Sequence, residues 1–197
     1  MKTLLRCFLI SFIMLPYALS AQAPLDLLKQ DVSEALDLLY TGTAGEELAT
    51  REAKVRAVLE KRFAFPAISQ RSLGVGWKRI NEKQQAQFTE AFTQLLIRSY
   101  TSRFIGADKP ELTYGDPIDL GSTRVEIPVD VTLDGNRYKI AYRMADIEGK
   151  PMVYDIIIEN VSLVSNYRQQ FSDILNRKGM DAVFKALADK LEHPDAE

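Results

Sequence analysis

The sequence predicts an α+β fold: helices first, an antiparallel sheet next, and helices last. Three observations carry that prediction. Apolar residues recur at helical spacing through the first half of the chain. A strand pair is closed by Asp134-Gly135. A run rich in β-branched and aliphatic residues, Val153 to Val164, then passes into a helix.

The N-terminal segment stands apart from this fold. Lys2 and Arg6 precede an apolar stretch from Phe8 to Leu19, and the small residues Ala18 to Ala23 follow. This is the pattern of a secretory signal peptide, residues 1–21, cleaved after Ser20 or Ala21. The apolar stretch is shorter than the ~20 residues of a membrane span. Cleavage removes Cys7, the only cysteine, so the mature chain has no disulfide, thiolate nucleophile or Cys metal site. It also leaves 23 basic against 27 acidic residues, a net charge of −4 that argues against nucleic acid. Residues 22–191 are expected to form one domain, with 192–197 a polar tail. No Pro/Gly/Ser linker or internal repeat divides them.

Leu25, Leu28, Val32, Leu36 and Leu39 define a first helix with Gly42 as its C-cap, and Thr43 to Gly45 connects to the next element. A second helix is expected from Glu46 to Phe63, broken by Phe65-Pro66. A short helix over Ala67 to Leu73 leads to Gly74-Val75-Gly76-Trp77. Asn81 and Gln84 form a capping box for a long helix reaching about Phe104. Its stripe is Phe88, Phe92, Leu95, Leu96, Tyr100 and Phe104. Leu112 to Leu120 reads as an edge strand interrupted by Pro117. The Asp134-Gly135 turn pairs Val131 with Tyr138, Val129 with Ile140 and Ile127 with Tyr142. On the opposite face it sets Asp130 against Lys139 and Glu126 against Arg143, so both faces are satisfied. Ile147 to Pro151 is a loop. The strand from Val153 then completes a meander, with apolar residues on both faces (Tyr154, Ile156, Ile158; Val153, Ile157, Val161) and hence cover on both sides.

A family resemblance runs through these elements. Val153-Tyr154-Asp155, Glu159-Asn160-Val161-Ser162, the polar helix Asn166 to Phe171 and Lys178-Gly179-Met180-Asp181 resemble the C-terminal signature of the MlaC / toluene-tolerance family of periplasmic phospholipid-binding proteins. Gly76-Trp77, the Gln-rich helix start and its spaced Phe, Leu and Tyr are similar too. Phe63-Ala64-Phe65 resembles a Phe-Asp-Phe element with Ala64 in place of Asp. Pro151 stands where the family usually has Trp, and Asn160 where it has Gly. The resemblance implies a curved antiparallel sheet wrapped by helices, an NTF2-like arrangement with an internal lipid pocket. It further implies a periplasmic carrier of diacyl phospholipid that maintains outer-membrane lipid asymmetry. The implied partners are an inner-membrane ABC transporter with its substrate-binding subunit and an outer-membrane lipoprotein–porin complex. The chain is expected to act as a monomer with no cofactor beyond its lipid cargo.

Composition offers little catalytic equipment. His193 is the only histidine and lies in the polar tail, so a Ser-His or Cys-His mechanism lacks a base. Gly74-x-Gly76 is too short for a phosphate loop. Asp155, within an apolar strand, is the one candidate carboxylate, and burial there would raise its pKa. Its alternative role is structural, hydrogen-bonded to backbone or paired with an Arg, and this reading is preferred. The candidate pocket residues are Phe65, Trp77, Phe88, Phe92, Leu96, Tyr100, Phe104, Val125, Ile127, Val129, Tyr138, Ile140, Tyr142, Met144, Tyr154, Ile156, Ile158, Tyr167 and Phe171. Two other functions remain open: an NTF2-like enzyme using Asp155, and a periplasmic adaptor or chaperone whose aromatic stripes are only core.

Overall fold

A computed structural model describes residues 22–41, 47–104 and 108–192. The signal-like segment, the Gly42 cap with the connection after it, and the tail with His193 lie outside the described residues. The helices are α1 (Gln22–Tyr40), α2 (Leu48–Leu59), α3 (Phe65–Leu73), α4 (Glu82–Thr101), α5 (Leu163–Lys178) and α6 (Met180–Glu192). The strands are β1 (Glu111–Tyr114), β2 (Ile118–Gly121), β3 (Arg124–Leu133), β4 (Asn136–Ile147), β5 (Lys150–Ile158) and β6 (Val161–Ser162). They form one antiparallel sheet ordered β1-β3-β4-β5-β6, with β2 also on β3. The fold is the α+β arrangement that the sequence predicts.

The β3–β4 register is the expected one, with Val131 opposite Tyr138, Val129 opposite Ile140 and Ile127 opposite Tyr142. Asp134 and Gly135 both have positive φ, as a tight two-residue hairpin of this twist requires. The expected edge strand is two strands on the same edge of β3. Pro117 lies in the gap, and so does Gly115, whose N–H donates to Pro128 O at 2.9 Å. A strand residue points its N–H and C=O to the same neighbour, so the missing N–H of Pro128 falls at this gap and the β4 side keeps its ladder. A Cβ on Gly115 would lie 2.9 Å from the Pro128 ring, which explains the glycine.

Three elements depart from expectation around β5. The loop at Ile147 to Pro151 shrinks to a turn at Glu148-Gly149, both with positive φ. The Val153–Val164 run is not one strand. It turns at Glu159-Asn160 (φ 47° and 65°), and Val161-Ser162 returns as β6. Asn tolerates this left-handed region better than most residues, so it serves where a glycine would be usual. Val161 ends on the last strand of the sheet and is 55% exposed, so cover on both sides is incomplete there. Finally, a bulge puts Val153 opposite Met144 and Asp155 opposite Arg143, leaving Tyr154 unpaired. Val153 thereby joins the core face with Ile156 and Ile158, rather than the face of Ile157.

The expected second helix stops at Leu59. Beyond it the chain extends along β5: Val153 N donates to Arg62 O at 2.7 Å and Ala64 N to Val153 O at 2.9 Å, in a parallel bridge centred on Phe63. This covers the edge of β5 at Val153, upstream of where β6 pairs. Arg62 is buried. Its Nε donates to Asp31 Oδ2 of α1 at 2.7 Å and its Nη1 to Pro151 O at 2.9 Å. The long helix α4 starts with the expected capping box: Gln84 N donates to Asn81 Oδ1, and Asn81 N to Gln84 Oε1.

Removing one partner of a buried pair strands the other charge, at a cost of ~3–5 kcal/mol. Asp31→Ala is therefore expected to lower the urea-unfolding free energy by that amount, whereas exchange of the exposed Glu34 should move it by less than ~1 kcal/mol.

Candidate functional site

The core face of the sheet is wider than the helices fill. Between it and α1, α2 and the end of α4 lies a cavity of about 160 Å³. Val32, Ala35, Leu36 and Leu39 of α1 line it, with Val55 and Leu59 of α2 and Tyr100, Thr101 and Phe104 at the end of α4. The sheet contributes Leu112, Val131, Ile140, Tyr142, Ile156 and Ile158. A second cavity of about 60 Å³ adjoins it under α3, walled by Phe65, Ile68, Leu96, Ile97, Asp155 and Leu163. Leu59, Phe63, Tyr100, Thr101 and Ile156 border both spaces. Phe63 stands between them, held by the backbone bridge to Val153, its ring edge-on to Tyr142 at 6.0 Å.

The structure divides the sequence-predicted pocket residues into groups. Phe65, Leu96, Tyr100, Phe104, Ile140, Tyr142, Ile156 and Ile158 line one cavity or both. Trp77, Phe88, Phe92, Tyr167 and Phe171 do not. They interlock in an aromatic cluster joining α4 to α5, with centroid distances from 4.8 Å (Phe92–Tyr167) to 6.4 Å (Trp77–Phe88). Phe88 and Phe92 are fully buried in it. Ile127, Val129 and Met144 are packed core, and Val125 packs against that core. Tyr138 is 41% exposed. Tyr154, displaced by the bulge, lies under the Arg71 guanidinium at 4.8 Å. The walls supplied by α1 and α2 were missed. Their signal was the Leu25-to-Leu39 stripe, which reads as ordinary core.

Asp155 has the surroundings of a structural carboxylate. It accepts from Ser162 Oγ (2.7 Å), Ile156 N (2.9 Å) and Val164 N (3.2 Å), and Arg143 Nη1 lies 3.8 Å away. Ser162 Oγ in turn accepts from Ser165 N and so caps α5. Arg143 bonds Glu126 Oε2 at 2.8 Å across the strands, as the register requires. Among the described residues no cluster of His, Cys, Asp and Glu could hold a metal ion.

Two phenols are perturbed on this side of the protein, Tyr142 in the lining of the larger cavity and Tyr114 on β1 outside that lining. Burial pushes Tyr142 far above the usual tyrosine range, and the phenols of Tyr114 and Tyr100 add to the shift. Burial also pushes Tyr114 up to about 12. Both are neutral hydrogen-bond donors at physiological pH.

The profile of the family described as MlaC protein matches residues 29–189. The chain belongs to the MlaC family. No curated protein sequence matches it. Among solved structures it is similar to a phospholipid-binding protein from Ralstonia solanacearum in complex with a phospholipid. The TM-score is 0.73 at 22% identity, covering 85% of this chain and 96% of that one. At that identity the likeness establishes a shared fold. The MlaC match spans from α1 almost to the end of α6, so both the cavity walls and the aromatic cluster fall within the family region.

The folded chain keeps its phenolic protons to higher pH than an unfolded one, whose tyrosines titrate near 10.0. The stability that depends on these protons is full below pH 10.0 and is lost as pH rises from there through about 12. Denaturant titration at stepped alkaline pH should show this decline, and Tyr142→Phe should reduce its slope.

Proposed function

We propose that the chain binds phospholipid by its acyl chains in the space between α1, α2 and the core face of the sheet. The single observation that carries this reading is a cavity whose lining is almost wholly aliphatic and aromatic, in a protein of the MlaC family. The phospholipid complex of the Ralstonia protein, which shares the fold, supports it.

A cavity of about 160 Å³ is smaller than the ~300–1,000 Å³ of ordinary ligand clefts. A dry apolar cavity of ~150 Å³ takes guests of about the size of benzene or xenon. Acyl chains therefore enter by displacing walls. The sheet is tied together by ladders along its length, whereas α1 and α2 meet it through side chains. The helical wall is the part that yields.

Energetics favour a carrier. Exposing two chains of roughly 30 methylenes to water costs about 24 kcal/mol at ~0.8 kcal/mol each. That forbids rapid unaided crossing, while transfer from bilayer to an apolar interior is nearly balanced. In this reading the protein is a binding protein rather than an enzyme. It is exported by its N-terminal segment and works in the periplasm. There it moves lipid between an outer-membrane lipoprotein–porin complex and an inner-membrane ABC transporter with its substrate-binding subunit, so maintaining outer-membrane asymmetry. Family membership supports this wider role.

Ile156 borders both cavities, so Ile156→Trp fills the space from the sheet side at an overpacking cost of ~1–3 kcal/mol. Native mass spectrometry of protein purified mildly from periplasm should show a diacyl phospholipid mass on the wild type. The folded variant is expected to carry at least tenfold less. Equal lipid on both would place the binding site elsewhere, and a bare wild type that also refuses lipid from vesicles would end the carrier reading.

A further inference from the structure

The cavity wall contains one polar group with no account in the packing. Tyr142 sits on β4, the central strand between β3 and β5, enclosed within the protein yet still bearing accessible surface. The space it lines is the larger cavity. Its hydroxyl has no hydrogen-bond partner among the described residues. The residue is half-buried and its hydroxyl is not among the sealed polar atoms, so the donor opens on the cavity and is met by whatever occupies that space. Among the described residues, neither cavity has a Lys, Arg or His in its lining. The opposite wall is aliphatic, from Leu36 and Leu39 of α1.

These facts restrict what the hydroxyl can serve. A fatty-acid carboxylate would be buried without a cation, with Asp155 bordering the adjoining space. A plain hydrocarbon would leave the donor unmet. A neutral acceptor carried on an apolar body satisfies both demands.

We propose that Tyr142 donates its hydroxyl hydrogen to an ester carbonyl of bound lipid, and that the cavity therefore selects acyl esters over other apolar molecules of the same size. This rests on the lipid reading above and deepens it. The recognised unit is the ester linkage at the root of the acyl chain, so the head group plays no part in this contact. Burial supports the role by keeping the phenol protonated well past neutral pH.

The test is a competition. Delipidated protein is mixed with vesicles containing equal amounts of a 1,2-diacyl phosphatidylglycerol and its ether-linked dialkyl analogue of the same chain length. Bound lipids are then counted by native mass spectrometry. A neutral hydrogen bond corresponds to about 3- to 10-fold in binding, so the wild type should take the diester over the diether by that ratio. In Tyr142→Phe the ratio should fall to one. The ratio is internal to each sample, so a loss of folded protein does not mimic the effect. A wild type that takes both lipids equally, or a variant that keeps the full preference, overturns the assignment of Tyr142 while leaving the carrier reading intact. A wild type that takes neither lipid overturns the carrier reading, and the role of Tyr142 with it.

Discussion

The architecture depends on one clamp, the strip Arg62-Phe63-Ala64 laid against Val153. Two backbone hydrogen bonds fix it to β5, and the Arg62 side chain reaches from there to Asp31 on α1 and to Pro151 at the start of β5. Sheet, first helix and the α2–α3 junction thus meet at one buried guanidinium. The clamp also sets Phe63 at the boundary of the two cavities. An ion pair so placed adds little net stability over an apolar substitute, but it punishes any arrangement that separates its partners. It therefore anchors the middle of α1, whose C-terminal half is held at the surface by the Lys109–Asp37 ion pair and by the Tyr40 hydroxyl donating to Asp108 O.

Stable packing and open space are segregated in this molecule. Around Phe88, Phe92, Tyr167 and Phe171, edge-to-face rings fill the interior and tie α4 to α5. On the other side of α4, aliphatic side chains of α1 and α2 oppose the sheet and leave a gap. Among the described residues the lining holds no basic group and offers apolar side chains with the Tyr142, Tyr100 and Thr101 hydroxyls.

The sequence carried much of this. The β3–β4 register was readable because Asp134-Gly135 fixes the turn and both strand faces agree with it. The α4 capping box was readable because its partners are local. What failed was non-local. Glu159-Asn160 turns the chain without a glycine or proline to announce it. The bulge at Tyr154 exists only in the pairing of β5 with β4, so face assignments made from alternation put Val153 on the wrong side. The end of α2 was misplaced because the chain after Leu59 tightens into turn bonds, Lys61 N to Val58 O and Arg62 N to Leu59 O, and from Arg62 on takes ladder bonds to a strand ninety residues away. The pocket residues show a different limit. The aromatics divide: Phe65, Tyr100, Phe104 and Tyr142 line the cavities, whereas Phe88, Phe92, Tyr167 and Phe171 pack on one another, and hydrophobic periodicity alone does not separate the two sets.

The central claim is that acyl chains lie between α1 and the core face of the sheet. It is tested most directly by paramagnetic broadening in methyl-labelled protein loaded with a phospholipid carrying a nitroxide near its acyl terminus. The account expects the methyls of Leu36, Ile140, Ile156 and Ile158 to broaden together while Leu175 and Val183, buried in the α5–α6 side of the core, stay sharp. Broadening centred on Leu175 and Val183, with the cavity methyls unaffected, would contradict it.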